Sequence, residues 1–458
     1  MEFDSSNLKL DFNNINQELP PELFDIVVNT IEETSVVCPE FVIGNHFTDK
    51  SKLSLSDWGF FLFFKNDKTL QSDIEFYMSN FKMGVSPYSR QYVSKQRMFI
   101  LPEYFKCVNR RLLVNIDYSI DNDYLKTFKG FFLIAGDGSD VKLPDFPEIR
   151  EEFNIVNTPK YTKPCMGKFS SLQDVLNGFM LDGILGNYKQ GELPLMQQNL
   201  SYVENMINPE RSIFIFDRNY NAMELYARIK EMKSYFVVRL KDKFYKNEKD
   251  KITSNDSPIL LELNSSRIKK FHDEYLKAKY SKMWGIDLRI VTITLENGTK
   301  ETLLTNLPEN IMTIEDLEYI YYKRWGIETN YNTLKNRFYL ENYSSKKRIG
   351  IEQDVYSKFF IFNIFNYLKL VFNTLIKMKK YFECIYEEYR VDQANLIRNI
   401  NDNLLFILLS PFEEVRKSKM NLFFKSCMRS PIKVVKHETT QRKTNCNLRF
   451  PINYAKTW

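Results

Sequence analysis

Three acids in this chain, with a phenol and two cations, are spaced as phosphodiester chemistry would need them. Asp137 follows the apolar run "GFFLIA" and Asp217 follows "SIFIF". A carboxylate at the C-terminal end of a strand in an open α/β sheet lies at the rim where ligands bind. Each aspartate has a plainer reading too. Asp137-Gly138 is also a turn dipeptide, and Asp217 also suits the cap of a helix beginning near Asn221. The third acid, Glu328, falls in "EDLEYIYYKRWGIETNYNTLKNRF", residues 315–338, which reads as one helix. Along it Tyr321, Arg324, Glu328 and Lys335 return to one side of a 3.6-residue turn. At about 100° per residue, this stripe is centred roughly 70° from the apolar line of Ile320, Ile327, Tyr331 and Leu334, so it borders the buried face. Exposed i,i+4 pairing of Arg324 with Glu328 is the alternative. Such pairing does not account for Gly326, since glycine costs about 1 kcal/mol inside a helix. A glycine there makes sense where another backbone or a nucleic-acid strand must come close.

Two strand-end aspartates and a helix-edge glutamate can together hold two Mg²⁺ ions, one activating the attacking oxygen of a phosphodiester and one steadying the leaving oxygen. Metals and neighbouring cations then stabilise the charge that grows on the phosphate. Arg324 would grip phosphate with a bidentate fork and Lys335 as a point charge.

The elements that must position these groups are legible as patterns. Residues 1–120 have helical periodicity, with prolines suited to a first turn in "LPPELFDIVVNTIEET" and polar caps on "LSLSDWGFFLFF" and "SDIEFYMSNF". From about 130 the texture becomes apolar runs bounded by turn residues. "GFFLIAGDGSDVKLP" reads as a strand, an Asp-Gly turn and a return strand, and "VLNGFMLDGILG" as a third strand. "ELPLMQQNLSYVENMI" has helical spacing, "RSIFIFDRNYNAMELYARIKEM" is strand then helix, and "SYFVVRLK" is a fifth strand. That order predicts a mixed α/β sheet with helices against it. Residues 242–308 read as β-rich, with a hairpin around Asn297-Gly298. No proline lies between Pro308 and Pro411, and the patterning there is a run of helices. From Arg416 to Arg449 the chain carries ten Lys or Arg and one acid, Glu438, which suits either contact with DNA phosphates or a solvated helical end.

Bulk composition narrows the class. With 458 residues, 43% hydrophobic and 27% charged, the chain has the make-up of a soluble globular protein of several domains. Its net charge of +6 is compatible with a nucleic-acid partner. Six scattered cysteines without a CxxC pair, and only three histidines, point away from a Cys/His zinc site and toward a reducing compartment. Any metal would be held by carboxylates, which favours Mg²⁺. The acidic start is no secretory signal, and the most apolar run, "FFIFNIFNYLKLVF", is broken by Asn363, Asn366 and Lys369, so no membrane span is expected.

The stretch "YYKRWGIETNYNTLK" contains Tyr-x2-Arg-x3-Glu-x6-Lys without a gap. It resembles the signature of DDE-type insertion-sequence transposases, in the cut-and-paste branch named for insertion sequence four. "DGSDVKLP" resembles that family's first-aspartate motif and "DRNYNAMEL" its second, while "ENYSS" and "IEQDVYSKFFIFN" resemble the segments after the glutamate. The similarity spans roughly residues 130–370, and more faintly "HFTDKSKLSLSDW".

The resemblance implies a ribonuclease-H-like mixed sheet with a β-rich insertion before the glutamate helix, plus an N-terminal helical domain and a helical C-terminal region. The expected division is 1–120 (helical, with possible DNA binding), 121–241 (first part of the core), 242–308 (insertion), 309–380 (second part, with the glutamate helix) and 381–458 (helical, with the basic tail). It also implies a catalytic and metal-holding triad of Asp137, Asp217 and Glu328 with two Mg²⁺ ions, Mn²⁺ substituting. Tyr321, Arg324, Lys335 and Arg218 would bind DNA phosphates. Trp284, the one tryptophan of the insertion, would stack on a flipped base or else pack the hairpin. The implied activity is cleavage at transposon ends, with hairpin ends in several family members, and joining of 3′ ends to target DNA. The implied partners are the terminal inverted repeats, target DNA and a second copy in a synaptic complex, in the bacterial cytoplasm at the nucleoid. A non-catalytic repressor on the same scaffold, or a Mg²⁺-dependent nuclease without strand joining, are the competing expectations.

Overall fold

The computed structural model describes residues 21–48, 51–65, 69–155, 164–241, 244–250, 252, 254–294, 298–383, 385 and 387–434. The chain divides into two compact units. One comprises residues 117–341 with 346–348. The other comprises 1–116, 342–345 and 349–458.

The first of these is built on an eight-stranded sheet: β1 (Phe132–Lys142), β2 (Met166–Asp174), β3 (Met180–Asn187), β4 (Ser212–Phe216), β5 (Tyr235–Arg239), β6 (Asp256–Glu262), β7 (Gly285–Thr294) and β8 (Lys300–Thr305). Their order is β3-β2-β1-β4-β5-β8-β7-β6. β1, β4 and β5 run parallel, and every other pairing is antiparallel. The first five strands in that order form the expected ribonuclease-H-like sheet. The strands of 242–308 continue it past β5 rather than forming a sheet of their own. Helices α1 (Glu192–Val203), α2 (Met223–Glu231), α3 (Ile314–Lys323) and α4 (Trp325–Asn336) accompany it. The central strands are apolar on both faces, as parallel strands covered on both sides must be. Leu133, Ile213, Ile215 and Val237 are fully buried with Ile320 and Leu317 of α3.

Two local expectations are corrected. Asp137-Gly138 makes no turn, because β1 runs through it to Lys142 and pairs residue by residue with β2. The second strand is instead "MGKFSSLQD", too polar to read as a buried strand. Its Ser170, Ser171, Gln173 and Asp174 are nonetheless fully buried. Most of their polar atoms find partners: Asn199 donates to Ser170 Oγ at 2.8 Å, Gln173 Nε2 donates to Ser171 Oγ at 2.9 Å, and Tyr118 and Asn177 donate to Asp174 at 2.9 and 2.6 Å, while Gln173 Oε1 has no partner among the described residues. The glutamate helix is also two helices rather than one. At Arg324 the backbone N–H reaches back three residues to Tyr321 O at 3.1 Å, and α4 starts at the next residue.

The second unit is helical. Leu55–Phe63, Leu70–Phe81 and Pro102–Asn115 come from the N-terminal part, and Arg348–Phe382 and Glu413–Arg429 from the C-terminal part. Ser54 and Thr69 cap the first two, each accepting a backbone N–H. By length and composition alone Arg348–Phe382 could cross a membrane, but 78% of its most apolar window is buried within the protein. Asn363 and Asn366 lie inside this core, bonded to Asn109 Oδ1 and Phe362 O at 2.8 and 2.9 Å. Asp354 on the same helix is fully buried and held by Lys65 and Arg97, both at 2.8 Å. The part of the basic tail beyond residue 434 lies outside the described residues.

Candidate catalytic site

The site begins with strand register. β1 and β4 pair in parallel up to Gly136 opposite Phe216. The next residues on the two strands are Asp137 and Asp217, on chains spaced about 4.8 Å apart. β4 stops there while β1 runs on, which leaves a notch beside Asp137 bordered on one side only by β2. The aspartates answer their local chemistry as well. Asp137 Oδ1 accepts the Gly138 N–H at 2.8 Å, and Asp217 Oδ1 accepts the Asn219 N–H at 2.7 Å as the cap of a short turn. One oxygen of each is thereby held, and the turn capped by Asp217 precedes α2 rather than being α2 itself.

Burial chiefly, then the neighbouring Asp217 and Glu192, pushes the Asp137 carboxyl up to about 7 against the lowering pull of the Gly138 N–H and Arg324. Desolvation disfavours the charged form and a like charge disfavours it further. This is an acid whose ionised state wants a cation.

α4 delivers the third acid. Its face toward the sheet is Ile327, Tyr331 and Leu334, all buried. Gly326 makes room within the chain itself, since a Cβ there would lie 3.0 Å from Val175 Cβ and 3.4 Å from Val175 O. The Tyr331 hydroxyl donates to Asp137 O at 2.8 Å and lies 2.8 Å from Ser171 Oγ, which accepts from Gln173 at 2.9 Å. The polar stripe then follows. Tyr321 and Arg324 are buried, while Glu328 and Lys335 are half-exposed. Arg324 reaches Glu328 Oε1 at 3.3 Å, and its guanidinium lies 5.8 Å from the Tyr321 ring and 5.1 Å from the Trp325 ring. Despite burial, Tyr321, Asp137, Glu328 and Asp217 together hold its charge firmly. One cation thus senses all three acids. Its buried Nε has no acceptor among the described residues. Lys335 donates to Ser139 Oγ at 2.8 Å and Asp140 O at 2.6 Å, and burial lowers its pKa.

The fold does not bring every candidate together. Arg218 follows Asp217 but is exposed. Trp284 is 87% exposed, so it does not pack the hairpin. The row Ile215–Val237–Thr305–Arg289 crosses the sheet. Relative to that row, Asp217 lies toward one end and Trp284 toward the other, roughly 20 Å apart along the strands at about 3.3 Å per residue. That separation removes Trp284 from the neighbourhood of the acids.

The profile of the family described as Transposase DDE domain matches residues 133–364, just over half of the chain and inclusive of all three acids. The chain belongs to this DDE transposase family. Comparison with curated proteins returns no match. Among solved structures it is similar to a piggyBac transposase in a synaptic complex with hairpin DNA, with 12% identity, a TM-score of 0.42, and coverage of 94% of this chain and 88% of that one.

For a DDE transposase the implied metal is a divalent cation. The donor chemistry fits: hard carboxylate oxygens, one of them on an acid whose charge is unsatisfied. Among the described residues, though, no three acids, histidines or cysteines stand close enough to hold an ion as they are placed. Arg324 lies against Glu328 instead. Residues around these strand ends that spacing did not single out are Tyr331, read only as apolar, and Lys168, Glu192 and Tyr220. Lys168 on β2 bridges Asp140 at 2.5 Å and Glu192 at 3.6 Å. Tyr220 did have a signal, as the last residue of the Asp-Arg-x-Tyr motif.

Proposed function

We propose that this protein cleaves the ends of a mobile element and joins the 3′ ends to target DNA by two-metal-ion phosphoryl transfer, in the cut-and-paste manner and through hairpin ends. The observation that carries this reading is the placement of Asp137 and Asp217 on neighbouring parallel strands, with Arg324 sensing both of them and Glu328. Asp137, Asp217 and Glu328 would hold Mg²⁺ or Mn²⁺. When bound, these ions activate the attacking oxygen and stabilise the leaving one.

The chain's own residues do the rest. Tyr331 fixes the Asp137 backbone and so the reach of its carboxylate. Arg324 supplies a buried fork whose Nε–H still lacks an acceptor, and a phosphate oxygen is the natural one. The Tyr321 ring, 5.8 Å from that guanidinium, adds a weak cation–π attraction to it. Lys335 adds a second cation beside Ser139, where the DNA strand continues. Arg218 at the rim is exposed for a more distant phosphate. The substrate is double-stranded DNA, handled by a homodimer that pairs two ends, in the bacterial cytoplasm. Exposed as it is, Trp284 would serve as a base-stacking residue only if DNA also passed the far end of the sheet.

The test is incubation with DNA carrying the element's own ends and Mg²⁺. Nicked, hairpin and joined products are expected, and Asp137→Ala, Asp217→Ala and Glu328→Ala should each abolish them while end binding persists. Bound but uncut DNA would leave a repressor, and cut but never joined DNA a nuclease.

A further inference from the structure

The notch beside Asp137 is lined by a fourth acid. The two faces of β1 can be told apart by contacts. Ser139 meets Lys335 of α4, whereas Gly136 and Gly138 face α1. A Cβ at 136 would lie 2.9 Å from Met196, and a Cβ at 138 would lie 2.8 Å from Glu192 Cδ. Gly138 therefore does more than follow the first catalytic aspartate. Its missing side chain admits the Glu192 carboxyl against the strand at the next residue. Glu192 stands in the first turn of α1, where the helix dipole favours its charge. An acid in a first turn is common and by itself indicates nothing.

A second observation comes from the short turn after β4. Tyr220 is completely buried and its hydroxyl has no hydrogen-bond partner among the described residues. Buried hydroxyls are rarely left so. Burial first, then Glu192, Asp137, Tyr331 and Asp217, holds this phenol well above its ordinary range. An unspent O–H donor thus stands within electrostatic reach of three carboxylates, two of them the proposed metal ligands. Lys168 touches Glu192 only at 3.6 Å and is engaged more closely by Asp140 at 2.5 Å, so it does not use up the glutamate.

We propose that Glu192 is a fourth, cation-facing carboxylate of the catalytic site, and that the Tyr220 hydroxyl is the positioning donor for this acid cluster. The proposal rests on the two-metal reading above. It adds a ligand-side acid from the opposite face of the sheet, reached through the notch where β4 ends. Tyr220 has no bond to lose before the ion arrives, and gains a carboxylate acceptor once the acids turn toward it.

Mn²⁺ binding to the DNA-free full chain, followed by the paramagnetic resonance of the free ion, separates the possibilities without relying on activity. Glu192→Gln and Tyr220→Phe are each expected to weaken Mn²⁺ about tenfold, in line with the effect of residues that orient a metal's ligands. Tyr220→Phe should leave the metal-free melting temperature unchanged, and Lys168→Met should change Mn²⁺ affinity less than twofold. If the wild-type chain binds no Mn²⁺, the two-metal reading fails and takes this inference with it. If the wild type binds, Asp137→Asn does not, and Glu192→Gln matches the wild type, only the present inference is overturned. Equal losses in Lys168→Met and Glu192→Gln would likewise overturn it, because Glu192 would then act merely through the lysine. Tyr220→Phe binding like the wild type would remove the phenol from the cluster. Should Glu192→Gln not fold, Glu192→Asp is expected to bind Mn²⁺ with intermediate affinity, and wild-type affinity there would count against the proposal.

Discussion

At the scale of single residues, one acid of this site, Asp137, is costly to the metal-free fold. Asp137 is half-buried beside Asp217 and is raised to about 7. The sign follows from linkage. Below about pH 4 the group is protonated whether folded or unfolded, and it contributes nothing. Between about 4 and 7 the unfolded chain releases the proton more readily, so stability falls, and above about 7 the full penalty is present. Asp137→Asn removes that penalty. In EDTA at pH 8 it should stabilise the fold by about 2–4 kcal/mol, and near pH 4 by almost nothing, as read by denaturant unfolding at the two pH values. Excess Mg²⁺ should reverse the order at pH 8 by stabilising only the wild type. Arg324 carries the complementary charge through a planar fork, so Arg324→Lys keeps the charge but not the geometry. Strand cleavage should drop about 10²-fold with end binding less affected, and a gel assay of single-turnover product reports it.

At the scale of elements, the site depends on how α4 is pinned to β1. Tyr331 reads as one more apolar residue of the helix's buried line, and its ring is indeed buried. Its hydroxyl is nevertheless the clamp, bonded to the Asp137 carbonyl and to Ser171. Tyr331→Phe keeps the packing and strands those partners. It should cost about 1–2 kcal/mol in equilibrium unfolding and reduce cleavage without removing DNA binding. The stripe itself was legible from 3.6-residue spacing, and Tyr321 and Arg324 do border the buried face. The break at Arg324 was not legible, because one residue of tighter winding leaves the periodicity almost intact. β2 was missed for a different reason. Its polar residues are paid for by partners far along the chain, such as Tyr118 for Asp174 and Asn199 for Ser170. Local hydropathy contains none of that information.

At the scale of the whole molecule, the sheet unit and the helical unit are stabilised in different ways. The sheet unit rests on apolar central strands, while the helical unit encloses a buried ionic group, Asp354 between Lys65 and Arg97. Although burial opposes it, the pull of Arg97 and Lys65 holds the Asp354 carboxyl well below the usual range. A depressed carboxylate contributes stability above its unfolded pKa and loses it as pH falls. Asp354→Asn should therefore destabilise by about 3–5 kcal/mol at pH 7, leaving two buried cations short of a partner. The deficit should shrink on acidification below about pH 4, as measured by helical circular dichroism across a pH series.

The amino-acid sequence by itself determined the repertoire: three acids after two apolar strands and on one helix, the polar stripe of Tyr321, Arg324, Glu328 and Lys335, and the mixed α/β class. These are readable because strand and helix periods are local, and because the acids interrupt or border apolar runs. Only the tertiary structure decided which groups meet. Parallel pairing of β1 with β4 brings residues 137 and 217 together across eighty positions of chain. The same register carries Trp284 to the other end of the sheet. The glycine at 138 lets the Glu192 carboxyl of a helix on the opposite face lie against β1. Contacts of this kind depend on register and on the absence of a side chain, and neither leaves a periodic trace in the sequence.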